Sequence, residues 1–290
     1  MKINVAIFLM SLLLCNVSAF GEIVNKVKQT SGGGGSQKLT AAAYNERGNA
    51  SAKLGHQQRA IEDYTKALSL KPDYSETCYN RGVAYYNLGR HPLAITDFDQ
   101  VIRRQPDYVS AYYMRGVAYA DLGQQQLAIE DYSKALALKP DYSDAYYNRG
   151  VAYYNLGRYQ GAIEEFNEAI RLQPTLLNAY VNRGAAHAKL GRYQLAIEDY
   201  DEAIRAQPYF VDAYYHRGVA YYNLRQEQRA IEDFNQVIRL QPDHTLAYYR
   251  RGSAYFLQNS TNLGCPDAQK ACALGNCRLL EIAKLNGNCH

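Results

Sequence analysis

The sequence predicts an all-α fold, a solenoid built from antiparallel helix pairs. Three observations predict it. Six of the eight prolines stand at positions 72, 106, 140, 174, 208 and 242, each 34 residues after the one before. Glycine recurs in step at 48, 82, 116, 150, 184, 218 and 252. Between these markers the apolar residues follow the 3.6-residue period of amphipathic helices and not the alternation of strands. A fixed period of this length is the signature of stacked units, each too small to bury its apolar face alone.

With the recurrent proline as position 32, the first repeat begins at Ala41 and the glycine is position 8. The second helix carries its apolar stripe at positions 20, 21, 24, 27 and 28, which in the fourth repeat are Ala162, Ile163, Phe166, Ala169 and Ile170. The first helix packs through positions 4, 8, 10, 11 and 14, and position 10 is alanine in every repeat, from Ala50 to Ala254. Small residues at 8, 10 and 20 let two helix axes approach. Rings at position 24 (Tyr64, Phe98, Tyr132, Phe166, Tyr200, Phe234) fill the space beside them. A Leu-Gly pair such as Leu156-Gly157 ends most first helices, where glycine accepts the left-handed turn. Proline at position 32 stops the second helix.

Arginine fills position 7 seven times, in Arg47, Arg81, Arg115, Arg149, Arg183, Arg217 and Arg251. An acid accompanies it at position 23: Asp63, Asp97, Asp131, Glu165, Asp199, Asp233 and Asp267. This predicts a ladder of ion pairs joining first and second helices, since a planar guanidinium suits a partly buried bidentate partner.

These residues together resemble the tetratricopeptide repeat. A small residue at 8, alanine at 20, an aromatic at 24 and proline at 32 carry the resemblance, over residues 41 to about 274. Two positions depart from the family: its tryptophan at 4 is tyrosine in most repeats and Cys78 in the second, and its leucine at 7 is the arginine just described. The resemblance implies a right-handed superhelix whose first helices line a concave groove for peptides or protein segments. It implies no enzyme and no cofactor.

In that family the groove is lined by positions 2, 5, 9, 12 and 13, a stripe expected to face away from the second helix. Position 5 here is Tyr79, Tyr113, Tyr147, Tyr215 and Tyr249, with Asn45 and Val181 in the other two repeats. Position 6 beside it supplies Asn80, Asn148, Asn182 and His216. An asparagine offers donor and acceptor together and so can grip a peptide bond from the side. A second period overlies the first. Even repeats carry Tyr86-Asn87, Tyr154-Asn155 and Tyr222-Asn223 at positions 12 and 13, where odd ones carry Ala52-Lys53, Ala120-Asp121 and Ala188-Lys189. Position 2 is acidic in the even repeats (Glu76, Asp144, Asp212), and position 24 alternates Phe and Tyr in step. The unit of construction is therefore a pair of repeats. Either it records duplication of a two-repeat block, or it sets tyrosine ridges against alanine hollows that read an extended ligand.

A protein or peptide partner fits this face best. A glycan is the alternative, stacking on tyrosine and bonding to asparagine; the chain holds 28 tyrosines, seven phenylalanines and no tryptophan. The carboxylate clamp found in some family members is missing, because its five positions hold Asn45, Asn49, Asn80, Ser110 and Met114, with no cation. Nucleic acid is not expected. The formal charge is only +4, and no face clusters lysine and arginine. Catalysis is not expected either: the histidines at 56, 91, 187, 216, 244 and 290 are scattered, and no metal-ligand pair, nucleophile turn or phosphate loop appears.

The two ends point to export. Residues 1–19 read as a signal peptide: Lys2, an apolar run from Val5 to Leu14, then Val17-Ser18-Ala19 for cleavage. The run is too short for a stable membrane span, and Leu14 before Cys15 weakens a lipoprotein reading. Residues 20–40, with Gly32 to Gly35 at their centre, read as a tether. Six repeats fill 41–244, and 245–290 form a degenerate seventh repeat and a cap. In the cap Gly264-Cys265-Pro266 is expected to start a short helix to Leu274, with a last helix running to about Leu285. Cys265, Cys272, Cys277 and Cys289 crowd into it, and an even cluster in an exported chain points to disulfides. A helical hairpin suggests nested bridges, Cys272–Cys277 and Cys265–Cys289, with two other pairings or a zinc site as alternatives. The chain is expected to be periplasmic or secreted.

Overall fold

A computed structural model describes residues 39–289, and all regular structure among them is helical. The leader and nearly all of the tether lie outside the described residues. The described helices fall into two compact units, the first ending at Pro140 and the second starting at Asp141. The first unit holds three pairs: α1 (Ala41–Lys53) with α2 (Gln57–Leu70), α3 (Ser75–Asn87) with α4 (His91–Arg104), and α5 (Val109–Asp121) with α6 (Gln125–Leu138). In the second, α7 (Ser143–Asn155) pairs with α8 (Tyr159–Leu172), α9 (Leu177–Lys189) with α10 (Tyr193–Ala206), and α11 (Val211–Asn223) with α12 (Glu227–Leu240). Then α13 (Thr245–Leu257), α14 (Thr261–Ala273) and the short α15 (Arg278–Leu285) close the chain. Among the described residues no helix is long and apolar enough to cross a membrane.

Each pair is held by a ring set against a glycine. A Cβ added at Gly82 would stand 2.7 Å from Phe98 Cε1, and one at Gly150 2.7 Å from Phe166 Cε1. The position-24 rings are fully buried, as are the alanines at position 20. The seventh repeat solves the same problem differently. Its position 24 is Ala268, and the gap beside Gly252 is filled from α15, whose Leu279 Cδ2 would stand 2.9 Å from an added Cβ. The last helix thus supplies the plug that six repeats carry within themselves, and so covers an otherwise open apolar end.

The arginine ladder is present and reaches further than pairing within a repeat. Arg115 Nε and Nη2 donate to the two carboxylate oxygens of Asp131 at 2.7 and 2.6 Å, while its Nη1 donates to Asp99 of the preceding repeat. Arg217 binds Asp233 and Asp201 in the same way. Arg81, Arg183 and Arg251 use their third donor on Thr65, Asn167 and Asn235, all at position 25. One guanidinium therefore fixes both the helix pair and the step to its neighbour. Burial lifts the carboxyls of Asp131 and Asp233 above the usual carboxylate range despite their arginines. The position-4 tyrosines complete the arrangement, the Arg217 guanidinium lying 5.4 Å from the ring centre of Tyr214. In the second repeat, where Cys78 replaces that tyrosine, Arg81 keeps only the position-11 ring that Arg115 and Arg217 also meet, Tyr85 at 5.9 Å.

First helices end in the left-handed turn expected of Leu-Gly, with φ between 70° and 79° at Gly55, Gly89, Gly123, Gly157 and Gly191. The sixth repeat has Arg225 there, held at φ 57°. The cap differs from expectation at its start: α14 begins at Thr261, so Pro266 lies inside the helix. Position 17, where every second helix starts, sets that boundary more strongly than the proline does. The cap sulfurs are joined Cys265–Cys289 and Cys272–Cys277, which leaves no thiol set for zinc. Cys78 is the one free cysteine among the described residues; it is buried, and burial pushes its thiol up to about 11.

Three variants are distinguished by unfolding in urea. Arg115→Ala should cost about 3 kcal/mol, because it strands a buried carboxylate. Arg47→Ala in the same unit should cost less than Arg115→Ala, since the Arg47 side chain is 47% exposed and pairs with Asp63 alone, whereas Arg115 also holds Asp99. Equal shifts of the transition would refute the buried ladder. Arg225→Gly should stabilise the second unit by about 1 kcal/mol by relieving its left-handed backbone.

Candidate functional site

The first-helix face was built from fifteen residues in the sequence, and the structure divides them. Position 5 is not a free ridge. Tyr79 packs on Phe98 with ring centres 5.7 Å apart, Tyr113 on Tyr132 at 5.9 Å, Tyr147 on Phe166 at 5.9 Å and Tyr215 on Phe234 at 6.1 Å. The stripe therefore turns partly toward the second helix. Glycine at position 8 brings the position-24 ring so close that the tyrosine one turn earlier closes over it.

Position 6 also belongs to the framework. Asn148 and Asn182 are buried and do not present their amides. Asn182 Nδ2 donates to the Tyr147 hydroxyl at 2.9 Å, and Asn80 Nδ2 donates to Asn49 Oδ1 at 3.1 Å. Asn49 Oδ1 also accepts from the buried Tyr64 hydroxyl at 2.8 Å. His216 stacks on Tyr200 with ring centres 5.9 Å apart. This gives the Phe/Tyr alternation at position 24 a packing cause. A tyrosine there buries a hydroxyl, and a polar position 6 in the next repeat meets it. Asn80 does so through Asn49, and His216 lies against Tyr200. Burial also pushes the Tyr147 hydroxyl up to about 12, with the Asn182 bond pulling the other way, so it stays a neutral phenol.

Positions 12 and 13 are the accessible part. Tyr86, Tyr154 and Tyr222 are half-buried, and Asn87, Asn155 and Asn223 are exposed. The Tyr86 hydroxyl donates to Asp121 Oδ2 at 2.7 Å, which ties a ridge of one repeat to the exposed acid of the next. Its ring centre lies 5.2 Å from that of His91, and Tyr154 meets Tyr159 edge-on at 5.2 Å. Asn223 folds its amide back onto the Val219 carbonyl at 2.8 Å. Glu76 and Asp212 at position 2 are exposed, and Tyr249 is half-buried with Arg250 5.8 Å from its ring centre. Asn45 and Asn49 also belong to the framework, a role that their places in the clamp pattern do not indicate. Asn45, in place of a position-5 tyrosine, accepts from buried Thr77 Oγ1 at 2.9 Å, and Asn49 holds two donors. The signal for both was present as paired departures from the repeat pattern in adjacent repeats.

Comparison with known proteins places this geometry. The tetratricopeptide repeat profile matches residues 75–108, 143–176, 177–210 and 211–244, and a second TPR repeat profile matches 48–89 and 116–157. The chain belongs to the tetratricopeptide repeat family. No curated protein matches it significantly. Among solved structures, MamA is 28% identical with a TM-score of 0.54, over 56% of this chain and 94% of its own. The C-terminal part of a TPR repeat-containing protein from Cytophaga hutchinsonii is 19% identical with a TM-score of 0.69, over 81% of this chain and 98% of its own. YrrB, a TPR protein with an unusual peptide-binding site, is 23% identical with a TM-score of 0.58, over 65% and 97%. The latter two are likenesses of fold. Family membership supports a protein-interaction scaffold.

The division between framework and accessible rim has a measurable consequence. Asn182→Ala should destabilise the second unit by about 1–2 kcal/mol, because it leaves the Tyr147 hydroxyl without its buried donor. Asn223→Ala should stay within about 0.5 kcal/mol. Thermal unfolding of the two variants separates the roles, and matching shifts would contradict them.

Proposed function

We propose that the chain is an exported, non-catalytic scaffold that binds an extended polypeptide segment on the first-helix face of its repeats. The observation that carries this is the recurrence of a half-buried tyrosine with an exposed asparagine, Tyr86-Asn87, Tyr154-Asn155 and Tyr222-Asn223, every 68 residues. Successive side chains of an extended strand point to opposite sides, so the alternation of tyrosine and alanine within each unit suits it. Tyrosine offers large contact area at low entropy cost, and the exposed asparagines supply the donor–acceptor pairs that peptide groups need. The residues proposed to touch ligand are these six together with Tyr249. Tyr79, Asn80, Tyr113, Tyr147, Asn148, Asn182, Tyr215 and His216 hold the wall behind them. Export rests on the leader-like residues 1–19 and agrees with the two disulfides of the cap.

Photo-crosslinking in the native cell tests this directly. A photoreactive residue is placed at Tyr86, Tyr154 or Tyr222 in turn, with Lys134 on a second helix as control. Discrete polypeptide adducts at the tyrosine positions and none at Lys134 are expected. Carbohydrate adducts would replace the polypeptide reading by a glycan one. Absence of any adduct at the three tyrosines would remove the face from consideration as a binding surface.

A further inference from the structure

The sixth and seventh repeats meet at a pair of histidines. His244 stands just before α13, and its Nδ1 accepts the Ala247 amide at 3.1 Å. Only one other described helix is capped by a side chain, α1 by Thr40. His216 lies on α11, and Tyr215 is held between the two imidazoles, 5.3 Å from His216 and 5.1 Å from His244 by ring centres. From α10 the Tyr200 ring stacks on His216, and from α12 the Phe234 ring meets Tyr215. The charges bearing on His216 are Asp212, one turn earlier on its own helix, and His244 itself. The exposed Asp243 precedes His244 in the connecting loop.

We propose that this junction is an acid-sensitive joint: protonation of His244 strips the cap from α13, and protonation of His216 places a charge beneath Tyr215, so acid loosens this end of the binding face. The physical reasons are independent of one another. A protonated imidazole has no lone pair left at Nδ1, so the Ala247 amide loses its acceptor. The new charge also sits at a helix N-terminus, whose dipole repels cations. At His216 the surroundings are aromatic, and burial lowers its proton affinity, with His244 acting in the same direction and Asp212 against it. The sign follows from proton counting. The unfolded histidine binds its proton near about pH 6.5 while the folded one resists it. The stability held in neutral His216 is therefore complete above that pH and is lost as pH falls. Asparagine at position 6 of the second and fourth repeats (Asn80, Asn148) shows that the fold does not need a histidine there.

The loosening needs no ligand; its effect on binding rests on the polypeptide-binding reading. The test compares the mature protein with a double variant, His216→Asn with His244→Thr, which keeps a capping oxygen and removes both imidazoles. Matching circular dichroism at pH 7.5 establishes that the variant folds. Between pH 7.5 and 5.0 the wild-type melting temperature should fall by about 4 °C more than that of the variant. In wild-type protein the Ala247 amide resonance should shift over the same range. Parallel melting curves, or an unmoved Ala247 resonance, would overturn the joint. Crosslinking from Tyr222 then reads the consequence: adduct yield should drop about fivefold at pH 5.0 in wild type and hold in the variant. Divergent melting curves with no adduct at either pH would leave the joint standing and remove the binding reading.

Discussion

Everything in this protein depends on one close approach, the edge of a position-24 ring resting on the backbone at a position-8 glycine. At 2.7 Å from an imagined Cβ, Phe98 and Phe166 leave no room for even a methyl group. The contact fixes how near the two helices of a repeat come, and hence which side chains can lie between them. Alanine at positions 10 and 20 follows from the same spacing. So does the placement of the position-5 tyrosines over the ring. The cap obeys the constraint as well, since Leu279 enters the gap that Ala268 leaves beside Gly252.

Around this apolar contact the arginines set register. A ring against a glycine tolerates small slides along the helix; a bidentate guanidinium does not. Because Arg81, Arg115, Arg183, Arg217 and Arg251 each spend a third donor on the repeat before them, the polar layer adds a directional tie between repeats that the apolar core also joins, as where Ala179 packs with Phe166 and Ala213 with Tyr200. Such pairs are costly to desolvate and costly to break, which makes them more effective at specifying one arrangement than at adding stability. The tyrosines at position 4 cover the guanidiniums from the side, with ring centres 5.2 to 5.7 Å from the guanidinium carbon.

The binding face inherits its character from this framework. Its alternation of tyrosine and alanine at position 12 keeps step with the alternation of Tyr and Phe at position 24, and the second of these has a packing cause in the buried hydroxyls of Tyr64 and Tyr200. A pair of repeats is thus a physical unit as well as a period. His216 shows the latitude in that rule. It occupies the place of an asparagine, satisfies the same packing, and adds a titratable group next to the face.

The sequence by itself determined the repeat length, the helix pairs, the glycine–ring contact, the arginine–acid partnership and the left-handed turns. Each is written in residues at fixed spacing whose backbone or volume admits few alternatives, and local periodicity expresses them directly. It did not determine which polar groups of the first helices remain accessible. Asn80, Asn148 and Asn182 are the same residue type at the same position 6, yet the first is only half-buried and the other two are buried. That outcome depends on the neighbouring repeat: a buried hydroxyl such as that of Tyr147 draws an amide inward, and only the tertiary structure brings the two together. The third donors of Arg81, Arg115, Arg183, Arg217 and Arg251 and the entry of Leu279 into the last gap belong to the same class. Their partners lie sixteen residues or more away, on helices whose relative depth no local pattern encodes.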